Sequence, residues 1–137
     1  MVRFRFKDKI TSDVEFVAYG STLNELFENA AYALFNVICD VKKVKHENVK
    51  HVKLKDSSVE GLLLKWLETL IAYVDIHEMF FSKFDVKITD KFVLDAKVYG
   101  EPAVQSKAGT LVKGISYHDF KIEKQGKQYK ATITCDI

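Results

Sequence analysis

Hydrophobic side chains recur along this chain with two different spacings. In several stretches they occupy every second position, as in residues 2–7, where valine and phenylalanine alternate with arginine and lysine. A period of two is typical of strands that bury one face. It predicts strands over residues 2–7, 13–19, 84–88, 92–98, 112–123 and 127–136.

A helical spacing follows the second strand. Between residues 22 and 38, apolar side chains recur every three or four positions, which predicts an amphipathic helix. Thr22 and Glu25 form a capping box at its start, because each side chain can accept a hydrogen bond from a backbone N–H that the first turn leaves free. The lysine-rich residues 41–55 are predicted to form a loop and then a solvent-facing strand.

A second amphipathic helix is predicted from residue 59 to about residue 75, where large apolar side chains again recur at helical spacing. Ser57 and Glu60 fit a second capping box. Further on, the apolar alternation slips by one position within the penultimate strand, so we expect a bulge near His118. Residues 124–126 (Lys-Gln-Gly) separate the last two strands and predict a hairpin turn.

These elements predict a single α+β domain over residues 1–137. Two amphipathic helices would cover one face of a mostly antiparallel sheet, which gives a two-layer sandwich. The chain has 137 residues and one proline, and 47% of its residues are hydrophobic. That length suits one domain, and ten phenylalanines, six tyrosines and a tryptophan can form its core without disulfides.

The charge composition argues against an autonomous, sequence-specific nucleic-acid binder. The net charge is only +2, and Arg3 and Arg5 are the only arginines among 21 basic residues. Arginine is the residue best suited to bidentate contacts with phosphates and base edges. Binding of RNA through lysines remains open, although a lysine run such as that in residues 41–55 is more often a solvated face.

Cysteine usage and hydropathy predict a cytoplasmic protein that does not associate with a membrane. Cys39 and Cys135 form no CxxC pair and lie near apolar positions, so we expect two buried, inert thiols. The apolar runs are too short to span a bilayer, and the first residues contain no signal-peptide core.

The motifs of common enzyme classes are missing from the sequence. It has no GxxxxGK[ST] or GxGxxG phosphate loop, no HExxH zinc motif and no GxSxG nucleophile elbow. Four scattered histidines and two unpaired cysteines provide no nucleophile with an adjacent base. We therefore expect a protein that is not itself an enzyme.

Six short motifs, in order along the chain, are similar to those of the archease family. They are residues 11–14 (Thr-Ser-Asp-Val), 18–23 (Ala-Tyr-Gly-Ser-Thr-Leu), 62–67 (Leu-Leu-Leu-Lys-Trp-Leu), 98–102 (Val-Tyr-Gly-Glu-Pro), 112–118 (Val-Lys-Gly-Ile-Ser-Tyr-His) and 136–137 (Asp-Ile). Each motif is short, but their order, their spacing and the final Asp-Ile make the match specific. The chain thus resembles the archease family from end to end.

Two places depart from the family pattern. The family usually has an acidic residue and a histidine just before its Thr-Ala-Asp motif, whereas Lys9 and Ile10 stand there in this chain and Asp8 comes one position earlier. The loop between Gly100 and Val112 is also shorter and lacks the family's histidine. No role of that histidine carries over to this chain.

The resemblance implies a site for one divalent cation, commonly calcium. The matching residues here are Asp13, Asp136 and the C-terminal residue Ile137. Hard cations prefer oxygen ligands, so calcium is expected, with magnesium or manganese as alternatives. Taken alone, an aspartate such as Asp13 is more often a turn residue than a metal ligand, and one such as Asp136 is more often a solvated charge at a strand end. Only the family match favours metal binding over these ordinary roles. His118 is either a support of this site or a polar residue in a bulge.

The resemblance also implies a function. Archease-like proteins promote guanylylation of an RtcB-type RNA ligase and so permit multiple turnover in tRNA splicing, while the chemistry stays on the ligase. That ligase is the expected partner, and tRNA is approached only indirectly. The alternative is a general chaperone or an RNA-binding module that uses the lysine-rich residues 41–55. It predicts salt-sensitive RNA binding and no dependence on Asp13 or Asp136.

Overall fold

The computed structural model describes residues 2–7 and 13–137. Within these ranges lie seven strands and two α-helices. The strands are β1 (Phe4–Phe6), β2 (Asp13–Gly20), β3 (Asn48–Lys55), β4 (Met79–Ile88), β5 (Val93–Pro102), β6 (Gly114–Gln125) and β7 (Gln128–Asp136). The helices are α1 (Leu23–Ile38) and α2 (Val59–His77), and short 3-10 turns span Val41–Lys43 and Gln105–Lys107.

The strands form two antiparallel sheets. The four-stranded sheet has the order β1-β2-β7-β6, and the three-stranded sheet has the order β3-β5-β4. The α+β class, the antiparallel pairing and the two helices are confirmed. The strands nevertheless divide between two sheets instead of forming the one sheet expected, because alternation shows which face of a strand is buried but not which strand lies beside it.

Helix α1 contacts both sheets. Asn29 Nδ2 donates a hydrogen bond to the carbonyl oxygen of Tyr19 in β2 at 2.7 Å. On the other side, Glu28 Oε2 accepts the N–H of Val86 in β4 at 2.9 Å. These bonds join the helix to the backbone of each sheet, so α1 lies between the sheets rather than on an open side of one.

Helix α2 bridges the sheets in the same way. Glu60 Oε2 accepts the N–H of Ile122 in β6 at 3.1 Å, and Lys65 Nζ donates to the carbonyl oxygen of Lys55 in β3 at 2.7 Å. The helices therefore form a middle layer. The sequence predicts that their far side faces solvent, but the second sheet lies there. Neither helix is long and apolar enough to cross a membrane, and they are the only α-helices in the described ranges.

The hydrophobic core is continuous through the helix layer. Trp66 of α2 is fully buried and packs edge-on against Phe84 in β4, with ring centroids 6.3 Å apart. Phe35 of α1 approaches Phe84 at 5.4 Å and Phe81 at 5.8 Å. Burying one such side chain stabilises the fold by about 1.5–3 kcal/mol. These aromatic contacts hold both helices against the three-stranded sheet.

The start of α1 agrees with the sequence prediction, whereas that of α2 differs by one residue. Thr22 Oγ1 accepts the N–H of Glu25 at 3.1 Å, as expected for the cap of α1. The predicted cap Ser57 is wrong, because Ser58 caps α2 by accepting the N–H of Gly61 at 3.0 Å. Two adjacent serines offer the same hydroxyl chemistry, and only the phase of the helix decides between them.

The expected bulge near His118 is present in β6. The strand pairs with β7 up to Ser116 and resumes at Lys121, so residues 117–120 bulge out of the register. Within the bulge, Asp119 has a φ of 59°, a left-handed conformation that non-glycine residues seldom adopt. The bulge therefore exposes a short run of polar and aromatic side chains beside the last strand.

The hairpin turn between β6 and β7 is one of two residues. Gln125 pairs with Gln128, so the turn consists of residues 126–127 and lies slightly later than the sequence suggested. Gly126 has a φ of 63°. Tight two-residue hairpins require a positive φ that glycine adopts without strain, which explains the glycine at this position.

Candidate functional site

Asp13 and Asp136 lie directly opposite each other across two paired strands. Asp13 begins β2 and Asp136 ends β7, and the antiparallel register makes the two residues partners. Residues opposite each other in such a pair have Cβ atoms about 5 Å apart on the same face of the sheet. The fold thus brings together two aspartates from opposite ends of the sequence.

Both aspartates project from the outer face of the four-stranded sheet. The next pair along the strands is Val14 with Cys135, and Cys135 is fully buried against the core. Side chains alternate between the two faces of a strand, so the aspartates point away from the helix layer. Asp136 is exposed and Asp13 is half-buried. A solute can therefore reach the pair from the outer side.

The two carboxylates have no cationic partner among the described residues. Glu15, the next residue on the same face of β2, is paired with Lys7, whose Nζ lies 3.0 Å from Glu15 Oε1. Asp13 and Asp136 make no such ion pair within the part of the chain that the structure describes. Like charges directly opposite each other destabilise a strand pair. A bound cation would remove this repulsion.

Gly114 leaves free space on the other side of Asp136. It is the partner of Asp136 in β6, and a Cβ added to it would have no atom within 4 Å. The N–H of the neighbouring Lys113 donates to the carbonyl oxygen of Asp136 at 2.8 Å and fixes the backbone there. Gly114 is not among the site residues predicted from the sequence, although a glycine inside a strand is a known signal of a special position.

Ile137 follows Asp136 at the end of the described chain. Its side chain is half-buried and packs against the core, which holds this segment in place. The main-chain oxygen of Ile137 therefore belongs to the residue that directly follows Asp136 in the chain. Within residues 2–7 and 13–137, no three His, Cys, Asp or Glu side chains gather into a cluster that could hold a metal. Asp13 and Asp136 stay the predicted side-chain donors, and carboxylate oxygens suit a hard cation better than a soft one.

Part of the first family motif lies outside the described residues. This applies to Thr11 and Ser12, and also to the departures at Asp8, Lys9 and Ile10. The described part of the site therefore begins with Asp13, the first residue of β2.

His118 lies in the bulge of β6, on the strand that contains Gly114. Its backbone N–H donates to Ser116 Oγ at 3.2 Å, and its Nε2 lies 3.3 Å from Asp119 Oδ2. The side chain is 88% exposed. These contacts agree with a polar bulge residue, and a supporting role toward the aspartates stays a prediction.

The two thiols are unsuited to nucleophilic chemistry. Cys39 and Cys135 are both buried and unpaired, as the sequence predicted. Burial is the main cause that raises the pKa of each thiol to about 12, and the nearby carboxylates Asp40 and Asp136 contribute in the same direction. Both sulfurs are therefore protonated at neutral pH, and a thiolate is the reactive form.

An apolar groove lies beside α2, next to the segment that leads into β6. It has a volume of about 310 Å³ and is lined by Ile71, by Leu111 and by other residues of α2 and of the range 105–112. A more polar recess of about 280 Å³ shares Ile71 and Asp75 with it and reaches Gly114. Leu111 is 71% exposed. The groove and the recess together connect an exposed apolar surface with the glycine opposite Asp136.

Comparison with known proteins identifies close relatives over the whole chain. Residues 4–137 match the model of the archease protein family. The protein archease of Sulfurisphaera tokodaii is 41% identical, and the alignment covers 100% of both chains. The solution structure of protein 1598 from Methanobacterium thermoautotrophicum superposes with a TM-score of 0.87 at 33% identity, over 98% of this chain and 99% of that one.

A more distant structure shares the fold alone. It is an archease of Thermotoga maritima, described as a possible chaperone, and it is 19% identical with a TM-score of 0.70. The superposition covers 97% of each chain. The same arrangement of two sheets and two helices thus persists when most residues have changed.

Proposed function

This chain belongs to the archease family, and from that premise we propose that it is an accessory factor of an RtcB-type RNA ligase. In this role it holds one divalent cation, promotes guanylylation of the ligase and so permits multiple turnover during tRNA splicing. Bond making and breaking stay on the ligase, and this chain itself acts as no enzyme.

The cross-strand pairing of Asp13 with Asp136 carries the proposal. The two residues lie at opposite ends of the sequence, and the antiparallel register of β2 and β7 makes them direct neighbours. They meet on an outer face, without a cationic neighbour in the described chain and with free space beside Gly114. This combination supports a cation site that stays accessible to a large partner.

Asp13 and Asp136 would bind the cation through their carboxylates, and Ile137 would add a main-chain oxygen. Calcium takes six to eight oxygen ligands, so water or groups of the ligase would complete the shell. When bound, the cation supplies positive charge that can bind phosphate or carboxylate groups of the partner. The protein's own contribution is to hold two carboxylates at a fixed separation on a rigid sheet.

The groove beside α2 is the surface that we assign to the ligase. It is apolar where Leu111 and Ile71 line it, and it continues into the recess that reaches Gly114. A partner that covers the groove and the recess therefore also contacts Gly114, the residue paired with Asp136 in the sheet. Replacement of Leu111 by aspartate is expected to weaken association with the ligase and to leave calcium binding unchanged.

The test uses two charge-removing variants, Asp13→Asn and Asp136→Asn. Calorimetric titration with calcium and with manganese should show one site in the wild type and none in either variant. Multiple-turnover ligation by the cognate ligase should rise with the wild type and remain at its unassisted rate with the variants. Asp90→Asn, in the turn between β4 and β5, is the matched control and should behave as the wild type.

The two readouts separate the cation site from the function. Variants that bind calcium normally would contradict the assignment of the site. A wild-type protein that leaves the turnover of the ligase unchanged would contradict the function, whatever the titrations show.

A general chaperone or an RNA-binding module is the second candidate. The lysines of residues 41–55 favour the RNA-binding form, since Lys53 and Lys55 lie exposed on β3. Either form predicts that Asp13→Asn and Asp136→Asn leave the activity unchanged, and this separates both from the ligase factor.

A further inference from the structure

Five exposed lysines share the outer face of the three-stranded sheet. They are Lys53 and Lys55 of β3, Lys83 and Lys87 of β4, and Lys97 of the central strand β5. We call this group the lysine face. Only two of its members belong to the lysine-rich run at 41–55; the other three come from strands distant in sequence and meet them through the register of the sheet.

The alternation of the strands fixes which way these lysines point. Val52, Ala96 and Val86 lie between them in the three strands, form one row across the sheet and are buried against the core. Residues one position before or after this row must therefore point to the opposite, outer face. The lysine face is solvent-exposed, and it lies on the side of the sheet away from the helices.

Aspartates neutralise only part of this face. Asp85 and Asp95 are register neighbours of the lysines on the same side of the sheet, and Asp95 lies 4.0 Å from Lys53 Nζ. Five positive charges therefore meet two negative ones. The whole chain has a net charge of only +2, so the lysine face holds more positive charge than the protein as a whole and the remainder is slightly acidic.

Protection of a sheet edge does not explain all five lysines. Natural proteins do place lysines on edge strands to prevent pairing with other chains, and this can apply to β3. Lys97 lies on the central strand, which has no free edge. The edge of β4 is already covered by α1, where Glu28 and Asn24 accept the N–H groups of Val86 and Ile88.

One lysine is held in place by an aromatic ring. Lys83 Nζ lies 4.9 Å from the centroid of Tyr99, its register partner in β5. Such a cation–π contact restricts the side chain and keeps its charge above the sheet. A solvent-exposed surface with several ammonium groups suits an extended polyanion, whereas a small anion would need a concave pocket.

We propose that the lysine face binds the phosphate backbone of RNA. Contacts with phosphates need charge rather than arginine forks, so a lysine surface suffices for binding without sequence preference. The choice of RNA among polyanions rests on the proposed function, in which the partner ligase acts on RNA. The face lies on the sheet opposite Asp13 and Asp136, so RNA and a cation occupy separate sides of the molecule.

The test compares wild type with the triple variant Lys83→Gln, Lys87→Gln and Lys97→Gln. Fluorescence anisotropy with a folded tRNA and with a short single-stranded RNA is measured at several salt concentrations, in the absence of any ligase. Loss of three phosphate contacts should weaken binding to the single strand by about tenfold or more at low salt and reduce the slope of log K against log salt by about 2.

The matched control removes the same charge from the other sheet. Lys121→Gln, Lys124→Gln and Lys127→Gln alter exposed lysines of the β6–β7 hairpin, and this variant should keep RNA affinity within about twofold of wild type, because it loses none of the assigned phosphate contacts. The triple variant Lys83→Arg, Lys87→Arg and Lys97→Arg keeps the charge and should bind RNA as wild type does, and circular dichroism of the glutamine variant should match that of wild type.

Several outcomes would overturn the inference. An equal loss of RNA affinity in both triple variants would show a general charge effect. RNA binding by wild type that is absent or insensitive to salt would contradict the inference directly. Equally tight binding to phosphatidylserine vesicles or to polyglutamate would assign the face to a membrane or to an acidic protein instead. Asp136→Asn should bind RNA as wild type does. Failure of the ligase assay would therefore contradict the proposed function without contradicting RNA binding by the lysine face.

Discussion

The indole Nε1 of Trp66 donates a hydrogen bond to the carbonyl oxygen of Phe27 at 3.0 Å. This bond joins α2 to α1 inside the helix layer, where both side chains are fully buried. A tryptophan in the interior needs a partner for its N–H, and here the partner is the backbone of the neighbouring helix. The bond therefore fixes how the two helices lie relative to each other.

Trp66→Phe should be among the more destabilising aromatic substitutions in this chain. It removes the donor to Phe27 and leaves a gap where the larger ring was, for an expected loss of about 1–3 kcal/mol. Urea unfolding followed by circular dichroism measures it. Tyr73→Phe is the control: its hydroxyl donates to the carbonyl oxygen of His51 at an exposed position, so its loss should be smaller.

Ser58→Ala and Ser57→Ala should differ although the residues are adjacent. Ser58 accepts the N–H of Gly61, whereas Ser57 makes only a long contact with Asp56 Oδ1 at 3.5 Å. Loss of an N-cap costs about 1 kcal/mol, so Ser58→Ala should lower the unfolding midpoint and Ser57→Ala should scarcely change it. A larger loss of stability in Ser57→Ala than in Ser58→Ala would show that Ser57 caps α2.

Glu28→Gln should change how stability depends on pH. Burial is the main cause that raises the pKa of Glu28, while the N–H of Val86 lowers it. The folded state therefore holds this proton to higher pH than the unfolded state does. The contribution of Glu28 to stability consequently falls as pH rises from the ordinary glutamate pKa of about 4.5 through the raised pKa of the folded state. Glutamine keeps an oxygen for Val86 and has no such titration.

The measurement is the free energy of unfolding of wild type and Glu28→Gln from pH 4 to pH 7. The difference should move in favour of the variant as pH rises and become constant near neutrality. A constant difference over the whole range would mean that Glu28 has the same pKa in the folded and unfolded states.

Asp136→Asn should have opposite effects with and without calcium. In a chelator it removes the repulsion with Asp13 and should raise stability by about 0.2–1 kcal/mol. With calcium at a hundred times its dissociation constant, wild type should gain about 2.7 kcal/mol that the variant lacks. Thermal melts in the two buffers measure both effects. A variant that is less stable in the chelator would show that the two carboxylates do not repel each other.

Cys39 and Cys135 should resist modification in the folded protein. Burial raises the pKa of both thiols to about 12, so little thiolate is present at pH 8 and access is blocked. A thiol-exchange reagent should modify both cysteines rapidly in urea and only as fast as the protein unfolds in its absence. Rapid modification of the native protein would show local opening at one of these sites.

Much of the fold could be predicted because local sequence patterns indicate its helices and strands. Thr22 with Glu25 marked the start of α1, and the slip of alternation marked the bulge that includes His118. The division into two sheets could not be predicted, since the pairing of β3 with β5 and of β2 with β7 joins segments far apart in the sequence. Long-range pairing leaves no trace in the period of a single strand.

The candidate site shows the same limit. Asp13 and Asp136 were identified by resemblance, and nothing in their local sequence states that they face each other. Gly114 was missed because its importance comes only from lying opposite Asp136. The lysine face was seen in part: the run at 41–55 is visible as sequence, but Lys97 joins it only through strand register.

The helix layer between the sheets has a consequence for communication between the two outer faces. Packed layers lie about 10 Å apart, so the aspartates and the lysine face are separated by about two such spacings, beyond the Debye length of about 8 Å at physiological salt. Effects of substitutions at such separations normally add. If the aspartates bind a cation and the lysine face binds RNA, binding on one side should leave affinity on the other unaltered, and the molecule would connect two ligands without coupling their affinities.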